Sequence, residues 1–212
     1  MAVSGGGRSR AGRSDGAATR ERLIAAAHDA LRENGFAGAS AREIARRAGC
    51  QQSQVFYYFG TVPDLLLAAL DAVSARRLAA YEPLLAGDPG LPELIDAAGE
   101  VIATDLETGD VAVLAELISG ARSAPGMSAQ IAERLAPWQQ FAERAARQAL
   151  AAHPLGGFAP AGDLARLLAA GILGLELLAT LDSDGEAVAG LVDRASAAAA
   201  LLAQQTAVEV PR

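Results

Sequence analysis

The segment between residues 17 and 60 constrains the fold most, because apolar residues recur in it at helical spacing and glycines interrupt them. Its first stretch has one apolar helix face, formed by Leu23, Ile24, Ala27, Ala30 and Leu31. Gly35 is expected to end that helix in a left-handed conformation, and Gly49 to supply a turn between two further short helices. Three helices of which the last two are joined by a glycine turn are typical of a helix-turn-helix.

The second helix of this segment begins with a capping pattern. Ser40 is followed three residues later by Glu43, so the Ser40 hydroxyl is expected to accept a backbone N–H and the Glu43 carboxylate to reach back to the cap. The third helix is predicted over Gln51–Phe59, with two inward-facing apolar residues four positions apart. The helix-turn-helix motif therefore covers residues 40–59.

The rest of the chain also has helical patterns, in longer stretches. Its apolar residues are mostly Ala and Leu, which favour helix, and β-branched residues are few. The predicted helices are Asp64–Leu85, Pro92–Thr108, Asp110–Arg122, Met127–Ala152, Ala161–Leu181 and Glu186–Thr206. Pro83 is expected to break the first of them, and Pro137 to kink or split the fourth. The predicted fold class is all-α with about nine helices, arranged as an N-terminal three-helix helix-turn-helix domain and a C-terminal helical domain.

The net charge of −7 is distributed unevenly along the chain. Residues 1–60 have nine Arg and five acidic residues, whereas residues 61–212 have nine Arg and twenty acidic residues, and the chain has no Lys. A positive N-terminal part joined to a strongly acidic remainder indicates that only the N-terminal part meets a polyanion. Residues 1–16 are rich in Gly, Ser and Arg and are expected to form a disordered basic arm.

Several function classes find no support in the sequence. The longest uncharged run of the most apolar stretch, Leu167–Leu175, is far shorter than the roughly 20 residues of a membrane-spanning helix, and no secretory signal is expected at the N-terminus. The sequence has no nucleophile elbow, phosphate-binding loop or dinucleotide fingerprint, so we predict that the chain is not an enzyme. Because it has one Cys and two His, we expect no disulfide, metal or cofactor, and a cytoplasmic location.

The stretch from Ser40 to Phe59 resembles the DNA-binding signature of the TetR family of bacterial transcriptional regulators. That signature has a Thr or Ser cap, an Ile-Ala-x-x-Ala-Gly core and a recognition helix that ends in an aromatic cluster. The matching residues here are Ser40, Ile44, Ala45, Ala48, Gly49, Tyr58 and Phe59. The residues that depart from the pattern are Cys50, Gln51, Phe56 and Val62. The resemblance implies a DNA-binding domain over residues 17–77, whose fourth helix links onward, and a ligand-binding and dimerisation domain over residues 78–212.

The residues expected to contact DNA lie on the second and third helices and at the start of the first. They are Arg20, Ser40, Arg42, Arg46, Gln51, Gln52, Ser53, Gln54, Tyr57 and Tyr58. The N-terminal end of the third helix is expected to enter the major groove, where a Gln side chain can bond adenine N6 and N7 together. Arg and Tyr side chains are expected to contact phosphates. The alternative interpretation is that these side chains form only a solvated helix surface.

The resemblance also implies that the last two helices form a dimer interface and that the middle helices enclose a small-molecule pocket. The residues that suit the interface are Gly171, Gly174, Leu177, Leu191, Ala195 and Ala198. The predicted pocket residues are Tyr81, Glu116, Leu117, Met127, Trp138, Phe141 and Glu176. Both sets have an alternative interpretation as ordinary core packing.

The predicted function is a sequence-specific transcriptional regulator, a repressor that binds a palindromic operator in double-stranded DNA as a homodimer and is released by a small-molecule effector. The alternative is an all-helical ligand-binding or protein-interaction module whose helix-turn-helix does not read DNA sequence. A redox role for Cys50 is a further hypothesis, because it lies at the turn before the recognition helix and the nearby helix N-terminus could lower the pKa of its thiol. Replacement of a buried aliphatic side chain is the alternative role for this cysteine.

Overall fold

Helices make up nearly all of the described structure. The computed structural model describes residues 7–87, 89–151, 160–179 and 181, and helical residues between 190 and 201. Its helices are α1 (Gly7–Gly38), α2 (Ala41–Arg47), α3 (Gln52–Phe59), α4 (Val62–Ala86), α5 (Leu91–Thr108), α6 (Asp110–Ala121), α7 (Met127–Ala151) and α8 (Ala161–Ala179). These residues contain no strand, and the helical residues between 190 and 201 fall in the last predicted helix. The prediction of an all-α fold with about nine helices is confirmed.

The chain divides into two compact units. Unit 1 consists of Met1–Val73 and Ala112–Ala132, and unit 2 consists of Ser74–Val111 and Glu133–Arg212. The family resemblance implies one boundary after residue 77 and a single domain over all later residues. The structure instead places the first boundary within α4 and includes most of α6 in unit 1. Local periodicity does not report such long-range packing, because it shows only which face of a helix is buried.

Both ends of α1 differ from the sequence-based prediction. The helix begins at Gly7, so residues 7–16 are helical, whereas a disordered arm was predicted there. Extending an existing helix costs less than nucleating a new one, and no proline stops this extension. At the other end Gly35 has φ 68° and ψ 178°, a conformation outside the left-handed helical region, and helical geometry resumes as far as Gly38. Gly35 is therefore a bend within α1, in a backbone conformation that only glycine adopts without strain.

The helix-turn-helix forms as predicted around a glycine turn. Gly49 has φ 64°, and the N–H of Cys50 donates to the carbonyl of Ala45 at 3.0 Å, which closes the end of α2. α2 packs against α1 and α3. Ile44 and Val55 are fully buried and anchor α2 and α3 respectively in the core of unit 1. Because one face of α3 is anchored in the core, its opposite face is directed outward.

Neither proline ends the helix that contains it. α4 continues through Pro83 and α7 continues through Pro137, although a break was predicted at the first and a kink or split at the second. Contacts within unit 2 hold the end of α4 against α7. The Arg144 guanidinium bonds the Glu82 carboxylate at 2.6 Å, and Gln148 donates to a carbonyl near the end of α4 at 3.1 Å. These contacts offset the single backbone hydrogen bond that a proline removes.

The length and apolar composition of the described helices decide whether any of them could span a membrane. No single one of them is both long and apolar enough to cross a membrane. α3 and α4 meet those requirements only when taken together, and they are bent by 71° relative to each other.

Candidate DNA interface and apolar cavity

α3 is anchored by one side chain and presents most of its others to solvent. Val55 is fully buried, whereas Gln51, Gln52 and Ser53 are exposed and Gln54 is half-buried. Gln51 is the extended residue that precedes the helix, so the first N–H groups of α3 lie at the same end as these amide and hydroxyl side chains. A helix N-terminus with such side chains can bond both base edges and phosphate oxygens.

The aromatic residues of α3 are unusually exposed for their size. Tyr57 is 81% exposed and Phe56 is 47% exposed. The Tyr58 ring is half-buried, meets the Tyr57 ring edge-on at a centroid distance of 4.9 Å, and directs its hydroxyl toward Gly16 on α1. Tyr57 is therefore the tyrosine available to an external partner, whereas Tyr58 braces α3 against α1.

The arginines of α2 differ in whether they form hydrogen bonds with carboxylate groups. The Glu43 carboxylate accepts hydrogen bonds from Arg46 and Arg47, each at 2.6 Å, and these bonds lower the pKa of Glu43 to about 2. Arg47 also bonds the Glu33 carboxylate at 2.8 Å. Arg42 is exposed, and among the described residues no ion pair involves it. Arg42 is therefore free to meet a phosphate, whereas Arg46 would have to exchange its partner.

Only half of the predicted capping box forms at the start of α2. The Ser40 hydroxyl accepts the Glu43 N–H at 3.3 Å, as predicted. The Ser40 N–H, however, donates to the carbonyl of Gly38 at 2.8 Å, and the Glu43 carboxylate is engaged by arginines. The predicted return contact from Glu43 is wrong, because charge-assisted bonds to guanidinium groups are stronger than a bond to a neutral N–H.

Arg20 and Cys50 lie in the same unit as this surface. The Arg20 guanidinium is 5.2 Å from the centroid of the Phe59 ring, a cation–π distance that leaves its charge exposed. Burial raises the pKa of the Cys50 thiol, although the nearby Arg22 charge opposes the shift. A raised pKa is the opposite of what a reactive thiolate requires, so the structure favours the packing role for Cys50.

Three of the predicted pocket residues lie in unit 1. Leu117 and Met127 are almost fully buried there, and the Glu116 carboxylate accepts the backbone N–H of Phe36 at 2.8 Å. The Phe36 ring lies directly against Gly120, one turn after Glu116 on α6. These contacts join α6 to the end of α1 and explain why most of α6 belongs to unit 1.

An apolar cavity of about 490 Å³ lies within unit 2. The predicted pocket residues Tyr81, Trp138 and Phe141 are in its wall. Trp138 stacks on Phe141 at a centroid distance of 5.2 Å and meets Tyr81 edge-on at 6.2 Å. Apolar residues of α5, α7 and α8, together with Leu191 and Ala195, complete the described wall. A cavity of this size and lining suits a small and mainly apolar molecule.

Glu176 is fully buried in unit 2, beside two charged residues that the sequence did not single out. Arg77 bonds the Asp105 carboxylate through Nη2, which is also 3.9 Å from Glu176 Oε1, and its guanidinium is 4.8 Å from the Trp138 ring centroid. Burial and the adjacent Asp105 carboxyl raise the pKa of Glu176 to about 9, because these surroundings disfavour its charged form. The sequence does indicate that Asp105 is unusual. It follows the buried Ile102 by three positions, so a charged residue lies on the apolar face of α5.

The predicted dimer residues all lie in unit 2. A side chain added at Gly171 or Gly174 would meet no atom within 4 Å. The other predicted residues are exposed and comprise Leu177, Leu191, Ala195 and Ala198. Further exposed leucines of α8 are Leu167, Leu168 and Leu178. Apolar surface of this extent is typical of an interaction site.

Comparison with known proteins identifies the fold and the family. Residues 23–69 match the model of the family described as bacterial regulatory proteins, tetR family. The helix-turn-helix segment of the chain is therefore that of the TetR family. An uncharacterized HTH-type transcriptional regulator of Mycobacterium bovis is 34% identical to it over 103 residues, which are 48% of this chain and 52% of that protein. The chain thus spans about half the length of the curated relatives it matches.

The likeness to solved structures extends beyond the helix-turn-helix segment. A TetR-family member from Streptomyces coelicolor is 27% identical with a TM-score of 0.60, covering 84% of this chain and 97% of that one. FadR of Bacillus subtilis, in complex with stearoyl-CoA, is 14% identical with a TM-score of 0.72, covering 84% and 96% respectively. The fold is therefore that of a TetR-family transcriptional regulator, and this agrees with the prediction that the chain is not an enzyme.

Proposed function

We propose that this chain is a transcriptional repressor that binds a palindromic operator as a homodimer and leaves it when a small molecule enters the cavity of unit 2. The outer surface of α3 carries the proposal. Gln51, Gln52 and Ser53 are exposed at the helix N-terminus, and Tyr57 is exposed one turn later. Such side chains read base edges and bond phosphates when a helix enters the major groove. The proposed location is the bacterial cytoplasm, where the chromosome lies.

Exposed arginines around α3 support contact with a DNA backbone. Arg42 is exposed on α2, and Arg20 on α1 holds its guanidinium over the Phe59 ring with its charge still exposed. Both residues belong to the part of the chain in which basic residues outnumber acidic ones. Phosphate contacts position a recognition helix, whereas the glutamines of α3 supply sequence selectivity.

A homodimer is proposed because a single recognition helix reads only a short DNA segment. Two copies related by a twofold axis read two half-sites, which explains why operators of such dimers are palindromic. The exposed leucines of α8 and the open positions at Gly171 and Gly174 support an interface of this kind. A twofold interface pairs the same surface on both copies, so one apolar surface is sufficient.

Release by an effector requires that the effector bind one state of the protein better than the other. A molecule with equal affinity for the DNA-binding and DNA-free states would shift nothing, however tightly it bound. The cavity lined by Tyr81, Trp138 and Phe141 supports the presence of such a molecule in unit 2. Repression is proposed because binding to an operator blocks transcription until the effector is present.

The test begins with selection of bound sequences from a random duplex pool, followed by fluorescence anisotropy of the selected duplex and of a scrambled one. The Gln52→Ala variant is expected to bind the selected duplex about tenfold or more weakly, because a well-made bidentate contact is worth roughly 1–3 kcal/mol. Its binding to the scrambled duplex should not change. Gln140→Ala is the matched control, because Gln140 is exposed on α7 in unit 2.

Two results would contradict the proposal. Failure of the pool to enrich any palindrome would favour the alternative of a protein-interaction module. Equal effects of Gln52→Ala on the selected and scrambled duplexes would show that α3 does not read bases.

A further inference from the structure

The wall of the cavity in unit 2 has no charged side chain among its described residues. Of these residues only Tyr81 and Trp138 have polar side-chain atoms, and almost the whole surface of the cavity is apolar. Burying an ion in apolar surroundings without a partner is strongly unfavourable. The wall therefore disfavours an occupant whose buried part carries a charge of either sign.

The buried charged residues of unit 2 lie outside this wall. Asp105 and Glu176 are almost fully buried and do not line the cavity, so an occupant does not contact their carboxyl groups. The Arg77 guanidinium lies 4.8 Å from the centroid of the Trp138 ring, but its Nη2 donates to Asp105 Oδ2. The charge of Arg77 is therefore balanced by a carboxylate of the protein itself, and the cavity does not require an anionic occupant.

The wall residues of α7 follow one face of that helix from an aromatic end to an alanine end. Trp138 and Phe141 form the aromatic end. Four alanines at the spacing i, i+3, i+4 and i+7 continue the same face as the alanine end, namely Ala142, Ala145, Ala146 and Ala149. The 11 positions from Trp138 to Ala149 span about 16 Å at a rise of about 1.5 Å per residue. Because methyl side chains fill little space, this face leaves room for an occupant that lies along α7.

We propose that unit 2 binds an uncharged molecule whose hydrocarbon body lies along α7, and that the cavity selects this molecule by its length rather than by a charged end. This proposal rests on the effector role proposed above and names the chemical class of the effector. A cavity of about 490 Å³ with an apolar wall stabilises such a body through the burial of each CH₂ group. The exposed wall residues Leu168 and Leu191 are apolar as well, so they offer no counter-charge to an end group.

Trp138 allows a direct test in the free protein, without DNA. It is the only tryptophan of the chain and lies in the cavity wall, so its fluorescence reports occupancy. The probes at neutral pH are decanol, decylamine and decanoate, which share one apolar chain and differ in charge. Decanol is expected to bind about tenfold or more tightly than either charged probe, since the wall offers no counter-charge. Equal or tighter binding of a charged probe, or no binding of any probe, would overturn the proposal.

A series of n-alcohols from pentanol to dodecanol tests whether the occupant lies along α7. Affinity is expected to rise about fourfold for each added CH₂ group and to stop rising when the cavity is full. Ala149→Leu fills the alanine end, so it should lower the affinity for decanol about tenfold or more and change that for pentanol by about twofold or less. Ala149→Val should have the same effect to a smaller degree, and it serves if the leucine variant does not fold. Ala151→Leu, at an exposed position of α7, is the matched control. The same length limit in wild type and in both Ala149 variants would contradict the proposal.

A parallel measurement separates this inference from the proposed function. The three decyl probes are added to the complex of the protein with its selected duplex, and anisotropy reports release. The predicted order of binding without any release would support the cavity proposal and contradict release by an effector. Release by a charged probe that also binds more tightly than decanol would contradict the cavity proposal and leave the repressor function intact.

Discussion

At the scale of single residues, Gly120 has no room for a side chain. A Cβ at this position would lie 2.1 Å from the Phe36 ring, so the ring would have to move. Gly120→Ala is therefore expected to destabilise the protein by about 1–3 kcal/mol, the usual cost of overpacking, in urea unfolding. Gly162→Ala is the control, because its Cβ would meet Glu143 at 3.6 Å, an ordinary contact.

The contact between Phe36 and Gly120 also predicts that the losses of stability caused by substitutions at these two positions are not additive. In the double variant Phe36→Ala/Gly120→Ala the ring that clashes is gone, so the loss of stability should be smaller than the sum of the two single losses. Additive losses, or a Gly120→Ala protein as stable as Gly162→Ala, would show that the ring does not occupy this space.

At the scale of elements, Arg42 on α2 and Arg166 on α8 are both exposed, but only Arg42 is expected to contact a DNA phosphate. Arg42→Ala is expected to weaken binding to selected and scrambled duplexes alike and to reduce the slope of log affinity against log salt by about 1, because one phosphate contact releases about one counterion. Anisotropy at several salt concentrations measures the slope. Arg166→Ala removes the same charge from α8, where Arg166 pairs with Asp163, and should leave the slope unchanged. An unchanged slope in Arg42→Ala would exclude a phosphate contact by this residue.

The helix-turn-helix was predictable from sequence because its determinants are local. The Ser40 cap, the Gly49 turn and the spacing of Ile44 and Val55 all act within one or two helical turns. The membership of α6 in unit 1 was not predictable, because it depends on a bond between Phe36 and a residue 80 positions away. The aromatic part of the cavity was found from its residue types, whereas the role of Glu116 required the three-dimensional arrangement.

Asp105 and Arg77, the charged neighbours of the predicted residue Glu176, were missed for a related reason. Asp105 and Glu176 occupy apolar helix faces in the sequence, which is a signal that each is unusual. Only the fold shows that they meet each other and Arg77, since the three residues come from three helices that are far apart in the chain. Isolated buried charges can be detected by periodicity, but their partners cannot.

At the scale of the whole molecule, the proposed dimer depends on the exposed leucines of α8. Leu178 is 62% exposed in the single chain, so Leu178→Arg should not disturb the core but should place a charge in the interface. We expect the wild-type protein to have twice the chain mass of 21.6 kDa in light scattering, and the variant to have the mass of one chain. Ile118→Arg, at a residue 51% exposed on α6, is the control and should remain dimeric. A wild-type monomer at micromolar concentration would contradict the dimer.

The two units should respond to pH in opposite directions. In unit 2 the pKa of Glu176 rises from its ordinary 4.5 to about 9, because burial and Asp105 disfavour its charge, while Arg77 opposes the shift and Asp110 adds to it. Folded unit 2 therefore binds more protons than the unfolded chain between these values, and its stability falls as pH rises through them. In unit 1 the pKa of Glu43 is lowered to about 2 by Arg46 and Arg47, so stability is instead lost as pH falls below 4.5.

Trp138 separates the two responses, because it is the only tryptophan and belongs to unit 2. The melting temperature followed by Trp138 fluorescence should fall as pH is raised from about 4.5 to about 9, because unfolding then releases the proton that buried Glu176 retains. Glu176→Gln cannot ionise and should flatten this dependence, whereas Glu107→Gln, at an exposed site, should retain it. Equal pH dependence in wild type and Glu176→Gln would mean that another group titrates in unit 2. In that case the burial of Glu176 beside Asp105 would not be what makes the stability of unit 2 fall as pH rises.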